Sequence, residues 1–362
     1  MWPYWIIFLI FTILSLSKGA NDILEGHTKI SLDPLSKIIL LLLTLFIGLR
    51  YQVGADWQQY LRIVERAEGI DLFSQMKYVS GEPGYQFIVW IGANIAGGIF
   101  FVNMVCAAIF SYGLLIYSNR RVYPWLSMVA ATPFLITVVS IGYTRQSAAI
   151  GFLLIAFNYL QERKLYKYLI FVLLASFFHK TAAIMAPLAI AIYTINYKLI
   201  YKLVPVLILV SLIIYFGLKE HIDFLIYGYI ELNLYDAKGL YFRLAMNIFP
   251  ALIFLFWYKE FRLTATEKRI YLYLSIASML FIPLSFIIPS TTVIDRLALY
   301  VSPIQLLVWS YIPFIFKRRD NRILIKIGIV IHSFAIMFVW LVFGIHAQYW
   351  IPYKNYFFEW IM

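Results

Sequence analysis

Apolar runs separated by short polar connections follow one another along the whole chain, near 2–17, 37–49, 99–118, 122–140, 147–160, 165–178, 181–195, 203–218, 244–258, 270–288, 297–316 and 323–345. About 20 apolar residues in a helix cross the ~30 Å hydrocarbon core of a bilayer. Several of these runs are shorter, so flanking residues must complete them or the helices must pack inside a bundle. Lipid offers no hydrogen bond to bare backbone, which forces such runs into helices. The pattern predicts an all-α, polytopic integral membrane bundle of about 12 transmembrane helices, forming a single domain over 1–362.

The basic residues then sort the connections. Arg120-Arg121, Arg163-Lys164-Lys167, Lys198 with Lys202, Lys259–Arg269 and Lys317–Arg322 fall on alternate loops, which places those loops in the cytoplasm. The connections between them face outward: 50–83, 141–146, 179–180, 219–243, 289–296 and the tail from His346. Segment 84–97 is apolar but short and ends in Gly97-Gly98; counting it as a full span breaks the alternation, so it reads as a re-entrant or half-buried helix on the outer side. Met1–Ser17 lacks the basic start of a signal peptide and reads as the first transmembrane helix, with Trp2, Tyr4 and Trp5 as an interfacial aromatic anchor.

Composition changes this picture little. Charged residues make up only 13% of the chain, so each must sit at a membrane face or line a cavity. The net charge of +12 lies mostly in short loops and reads as topology and headgroup contact rather than nucleic-acid binding. The lone Cys106 lies in an apolar run and provides neither disulfide nor thiolate metal site.

The outer loops carry the candidate chemistry. In Asp56–Gly69, Trp57, Tyr60, Leu61 and Val64 recur at helical spacing, as in a helix lying on the outer surface. Loop 219–243 holds Tyr227, Tyr229, Tyr235, Tyr241 and Phe242 among acids, suited to interfacial anchoring or to stacking on sugar rings. Four constellations stand where helices meet the outer face: Arg50–Asp56 with Tyr60, Gly81–Tyr85, Tyr143–Gln146, and His179-Lys180; Asp295-Arg296 is a weaker fifth. Arg145, Lys180 and Arg296 each precede or open an apolar helix, where free N–H groups and a cation make an anion site. Arginine also grips phosphate oxygens in bidentate fashion.

Plainer roles compete for each residue. A cation at a helix mouth often only snorkels to headgroups. Glu82-Pro83 fits a helix start, Asp56 a cap, and His179 a packed histidine as well as a proton carrier. No Asp-x-Asp, no His/Asp/Glu cluster and no Gly-rich phosphate loop is present, so neither a metal nor another cofactor is expected.

Taken in order, Arg50-x-x-Val53-Gly54-x-Asp56-x-x-x-Tyr60, Glu82-Pro83-Gly84-Tyr85, Arg145-Gln146-x-x-Ala149 and Phe178-His179-Lys180-Thr181-Ala182 resemble the EpsG family of Wzy-like exopolysaccharide, capsule and O-antigen polymerases. The resemblance covers roughly residues 40–200, with looser agreement to Arg296. Ala55 departs from the threonine more usual before the aspartate, and Thr181 supplies the hydroxyl that commonly follows the histidine. The resemblance implies a GT-C-like, metal-independent glycosyltransferase of the bacterial inner membrane, with its active site facing the periplasm or outside. Its donor and acceptor would be undecaprenyl-pyrophosphate-linked oligosaccharides, and a flippase and a chain-length regulator its partners. On that basis Arg145, helped by Arg50, Lys180 and Arg296, would bind pyrophosphate. Asp56, Glu82 and His179 compete for the general base, and Tyr60, Tyr85 and Gln146 would position substrate. The alternatives are a lipid-linked oligosaccharide flippase and a membrane acyltransferase acting on a surface glycan.

Overall fold

A computed structural model describes residues 1–20, 32–78, 81–192, 239–288 and 290–359. The described elements are helical: α1 (Trp2–Ser17), α2 (Pro34–Gly48), α3 (Trp57–Glu65), α4 (Leu72–Tyr78), α5 (Pro83–Asn94), α6 (Gly98–Asn119), α7 (Pro124–Gly142), α8 (Thr144–Gln161), α9 (Leu165–Phe178), α10 (Lys180–Ile192, a 3-10 helix), α11 (Leu240–Phe256), α12 (Ala265–Ile287), α13 (Thr291–Val301), α14 (Pro303–Ile315), α15 (Arg319–Phe343) and α16 (Tyr356–Glu359). Among the described residues no strand forms, and extended pairing is confined to a bridge between Arg50 and Asn355. The run at 203–218 and loop residues 219–238, with Tyr227, Tyr229 and Tyr235, lie outside the described residues.

Among the described residues four helices, α6, α7, α12 and α15, are long and apolar enough to cross a membrane, and a fifth span arises if α13 and α14 are taken together. Helices α1, α2, α9, α10 and α11 are apolar but shorter. Helix α5 has 12 residues; at 1.5 Å per residue it rises about 18 Å, well short of a bilayer core.

Local chemistry explains where the helices begin. Asp33 accepts from the Ser36 N–H at 2.9 Å, and Pro34 needs no N–H at the first helical position. Pro83 and Pro124 open α5 and α7 the same way. Thr264 and Glu267 close a capping box on α12.

The chain forms two compact units. The first comprises Met1–Ile155, Leu174–His179 and Trp309–Met362. Its centre is α7, buried along almost its whole length and packed by α1, α6 and α15. Over Thr132–Val139 this helix widens to π turns, starting beside Pro133, whose missing N–H interrupts the α ladder. Helices α6 and α8 cross at Gly113 and Gly151: a Cβ on Gly113 would stand 2.1 Å from the Gly151 carbonyl oxygen. Small residues let backbones approach this closely.

The C-terminal tail folds back onto the first unit. Gly54 N–H donates to Tyr349 O at 2.8 Å, Tyr51 N–H to Lys354 O at 3.1 Å, and Tyr356 N–H to Leu49 O at 2.8 Å. Tyr4 is not an interfacial anchor: it is buried, donates its hydroxyl to Trp350 O at 2.9 Å and packs edge-on against Phe46 and Tyr353. Trp2, by contrast, is exposed. Helix α3 buries Trp57, Tyr60 and Val64 as its spacing predicts, but the apolar face meets α5 and α6 instead of lipid.

The second unit comprises Ala156–Leu173 and Lys180–Val308. Within it α11 packs on α12 and α13. Gln161 donates to the Tyr271 hydroxyl at 2.9 Å, and Thr181 shares a hydrogen bond with Tyr300 at 2.8 Å. Tyr241 and Phe242, the described part of the aromatic loop, are exposed at the start of α11.

Candidate functional site

Three of the predicted constellations converge in the first unit. The break between α7 and α8 puts Arg145 in the first turn of α8, beside the N–H ends of that helix. Arg145 Nη1 donates to Glu82 Oε2 at 3.0 Å, with the arginine side chain 30% exposed and the glutamate 9%. The guanidinium lies over the Tyr85 ring, 5.7 Å from its centroid, and Tyr60 stands edge-on to Tyr85 at 6.1 Å. Glu82 is the residue before α5, as a helix start requires, yet its side chain caps no N–H; it serves Arg145 instead.

Arg50 emerges from the end of α2 and is 1% exposed, the largest of the fully buried side chains. Its Nη1 donates to Ile47 O at 2.7 Å, and its Nη2 to Asn103 Oδ1 at 3.1 Å and Thr144 Oγ1 at 2.7 Å. Thr144 directly precedes Arg145, so one helix start holds both arginines. Gly54 makes this crowding possible: at φ +105° it occupies the left-handed region, and a Cβ there would meet Ile141 O at 2.8 Å.

Hydrogen-bond donors outnumber acceptors at this place. Arg50 Nε, Arg145 Nε, Asn103 Nδ2 and the Tyr85 hydroxyl are all buried without a partner. Each such group left unmade costs about 1–3 kcal/mol. Tyr85 also lies within electrostatic range of both Arg50 and Arg145. Arg145 gives Nη1 to Glu82 and has a second side-chain hydrogen-bond partner in Tyr60, while its Nε is buried without one.

Gly84 brings the Glu82–Tyr85 corner against the end of α9: a Cβ there would lie 2.9 Å from Phe177 Cβ and 3.2 Å from Phe178 Cε2. Phe178 packs on Phe152 of α8, 5.4 Å between centroids. His179 follows immediately, its N–H completing the α9 ladder to Ala175 O at 2.9 Å, and it is half-buried. Asp56 precedes α3 without capping it and is half-buried, and Gln146 is buried in the first turn of α8.

Lys180 and Arg296 belong to the second unit. Lys180 opens α10, as the sequence predicts. Arg296 does not open a helix. Ser290 caps Val293 N–H at 3.3 Å and starts the helical stretch at Thr291, which leaves Arg296 in the last turn of Thr291–Ala298. The apolar run begins later than the helix because its first turn is polar. Asp295 is buried and accepts from Arg243 Nε at 2.5 Å, whereas Arg296 beside it is half-buried.

One functional candidate, Asn103, lies outside the predicted constellations, and Thr144, within the Tyr143–Gln146 constellation, gains a role as a partner of Arg50. Asn103, a polar side chain within an otherwise apolar helix, was itself a signal. Among the described residues no group of His, Cys, Asp and Glu could hold a metal ion.

No curated protein and no solved structure matches the chain. The sequence profile of the EpsG family, however, matches residues 35–355. That match takes in the Arg50, Glu82, Arg145 and His179 segments together with most of the tail that closes over residues 49–54, and the chain belongs to the EpsG family.

Proposed function

We propose that the protein polymerises a bacterial surface polysaccharide, joining undecaprenyl-pyrophosphate-linked repeat units on the outer face of the inner membrane. The observation that carries this reading is the donor-rich cluster around Arg145 and Arg50. In the reaction a hydroxyl oxygen of the acceptor sugar bonds to the anomeric carbon of the donor glycan. The bond from that carbon to the lipid diphosphate breaks, and the diphosphate leaves with the electron pair. Stabilising that developing charge is the main demand on the protein. Arg145, part-exposed, contacts the diphosphate through its guanidinium, while Arg50, enclosed beneath, adds positive potential without contact.

Glu82 is committed to Arg145 and orients it. The hydroxyl proton then goes to Asp56 or His179. Tyr85 donates its unpartnered hydroxyl to the ligand, with Tyr60 and Gln146 supporting the pocket. The twelve-span, GT-C-like arrangement with loops 50–83 and 219–243 outside belongs to the same proposal.

Deletion of the gene in its host tests it. Loss of a polymerase leaves surface glycan as single repeat units, restored to a ladder by the wild-type chain. Repeat units trapped inside the cell would instead indicate a flippase, and full-length polymer lacking acyl groups an acyltransferase.

A further inference from the structure

Arg50 has an unusual set of partners for a fully buried cation. All three are neutral oxygens, from Ile47, Asn103 and Thr144, and among the described residues no carboxylate pairs with it. A buried charge is normally paired, because leaving it uncompensated is costly. Asparagine and aspartate have almost the same shape, so position 103 could carry a counter-ion without any change of packing. Asn103 is also buried inside apolar helix α6, where a polar side chain needs a reason. Its Oδ1 must face Arg50, since the amide nitrogen and the guanidinium are both donors; its Nδ2 is left unpartnered.

We infer that Asn103 is a positioning residue that fixes Arg50 by a neutral hydrogen bond, so that the positive charge stays uncompensated and acts on the diphosphate held by Arg145. This inference rests on the diphosphate reading above. A purely structural Asn103 would only anchor Arg50, a task aspartate performs at least as well. The two roles therefore separate by charge, at constant shape.

The test uses purified full-length protein, with inorganic pyrophosphate as the calorimetric probe and thermal unfolding measured in parallel. Asn103→Asp and Arg50→Gln both remove the net charge, and each is expected to weaken pyrophosphate binding at least tenfold. Asn103→Ser keeps a neutral acceptor and the charge, and is expected to lose less than threefold whatever its unfolding temperature. Affinities that rank with unfolding temperature rather than with charge overturn the inference. So does wild-type affinity in Asn103→Asp. If Asn103→Asp does not accumulate as a monodisperse protein, Arg50→Gln against Asn103→Ser decides between the two roles. Arg145→Lys separates the two levels: wild-type affinity there sinks the diphosphate reading itself, whereas a loss there with no charge ranking at Arg50 and Asn103 sinks only this inference.

Discussion

Each unit buries an arginine cluster, and the two are built differently. In the second unit Arg243 meets Asp295 directly, Asn247 donates to Ala298 O at 2.9 Å, and Gln305 donates to Asn247 Oδ1 at 2.6 Å. None of these four side chains leaves a buried polar atom without a partner. In the first unit, Arg145 pairs with a buried glutamate while staying part-exposed itself, Arg50 has only neutral partners, and four buried polar groups lack one. A closed cluster holds helices together; surplus donors are what the proposed diphosphate would engage. Had both clusters been closed, the arginines would describe packing alone.

The contrast breaks most easily at Arg145. Arg145→Lys keeps the charge but loses the planar fork, and removing one charge-stabilising donor set costs about 100-fold or more in turnover. The surface glycan ladder should collapse to single units while membrane insertion persists.

At the closed cluster the effect moves from activity to stability. Arg243→Ala strands a buried carboxylate, a loss of about 3–5 kcal/mol. The double variant Arg243→Met with Asp295→Leu should recover most of it, as thermal unfolding in detergent would show. Polymer formed per folded molecule stays at wild-type level in the double variant.

Away from both clusters, Gly113→Ala forces α6 and α8 apart, because the new Cβ would meet the Gly151 backbone. Overpacking of this kind costs about 1–3 kcal/mol and is read as a lower unfolding temperature.

The smallest change sharpens the comparison most. Tyr85→Phe removes a buried hydroxyl with no partner in the resting protein, so stability should hold or rise, by up to about 1–3 kcal/mol. Chain extension should still fall, by about tenfold, the worth of one hydrogen bond to a charged oxygen. A variant less stable but fully active would reassign Tyr85 to packing.

Much of this was legible in the apolar pattern, because helices in lipid have no competitor. Helix α3 and the helix starts at Pro83, Thr144 and Lys180 fall where the residues place them. Depth was not legible. Arg50 reads as an outward cation, yet lies sealed by Asn103, Thr144 and a C-terminal tail about 300 residues away in sequence. Tyr4 reads as an anchor but bonds to Trp350, a partner no local pattern reveals. Arg296 was misplaced because the apolar run starts later than its helix, and only the Ser290 cap marks the true beginning. Local spacing fixes where a helix starts; it is silent on which distant backbone closes over it.

The most direct test is a cryo-electron microscopy structure of the full-length protein in a lipid nanodisc with a lipid-linked repeat unit bound. Diphosphate density within hydrogen-bonding distance of Arg145 and the Tyr85 hydroxyl, above an enclosed Arg50, is the predicted result. Diphosphate seated elsewhere, with Arg145 still turned only to Glu82, would contradict it.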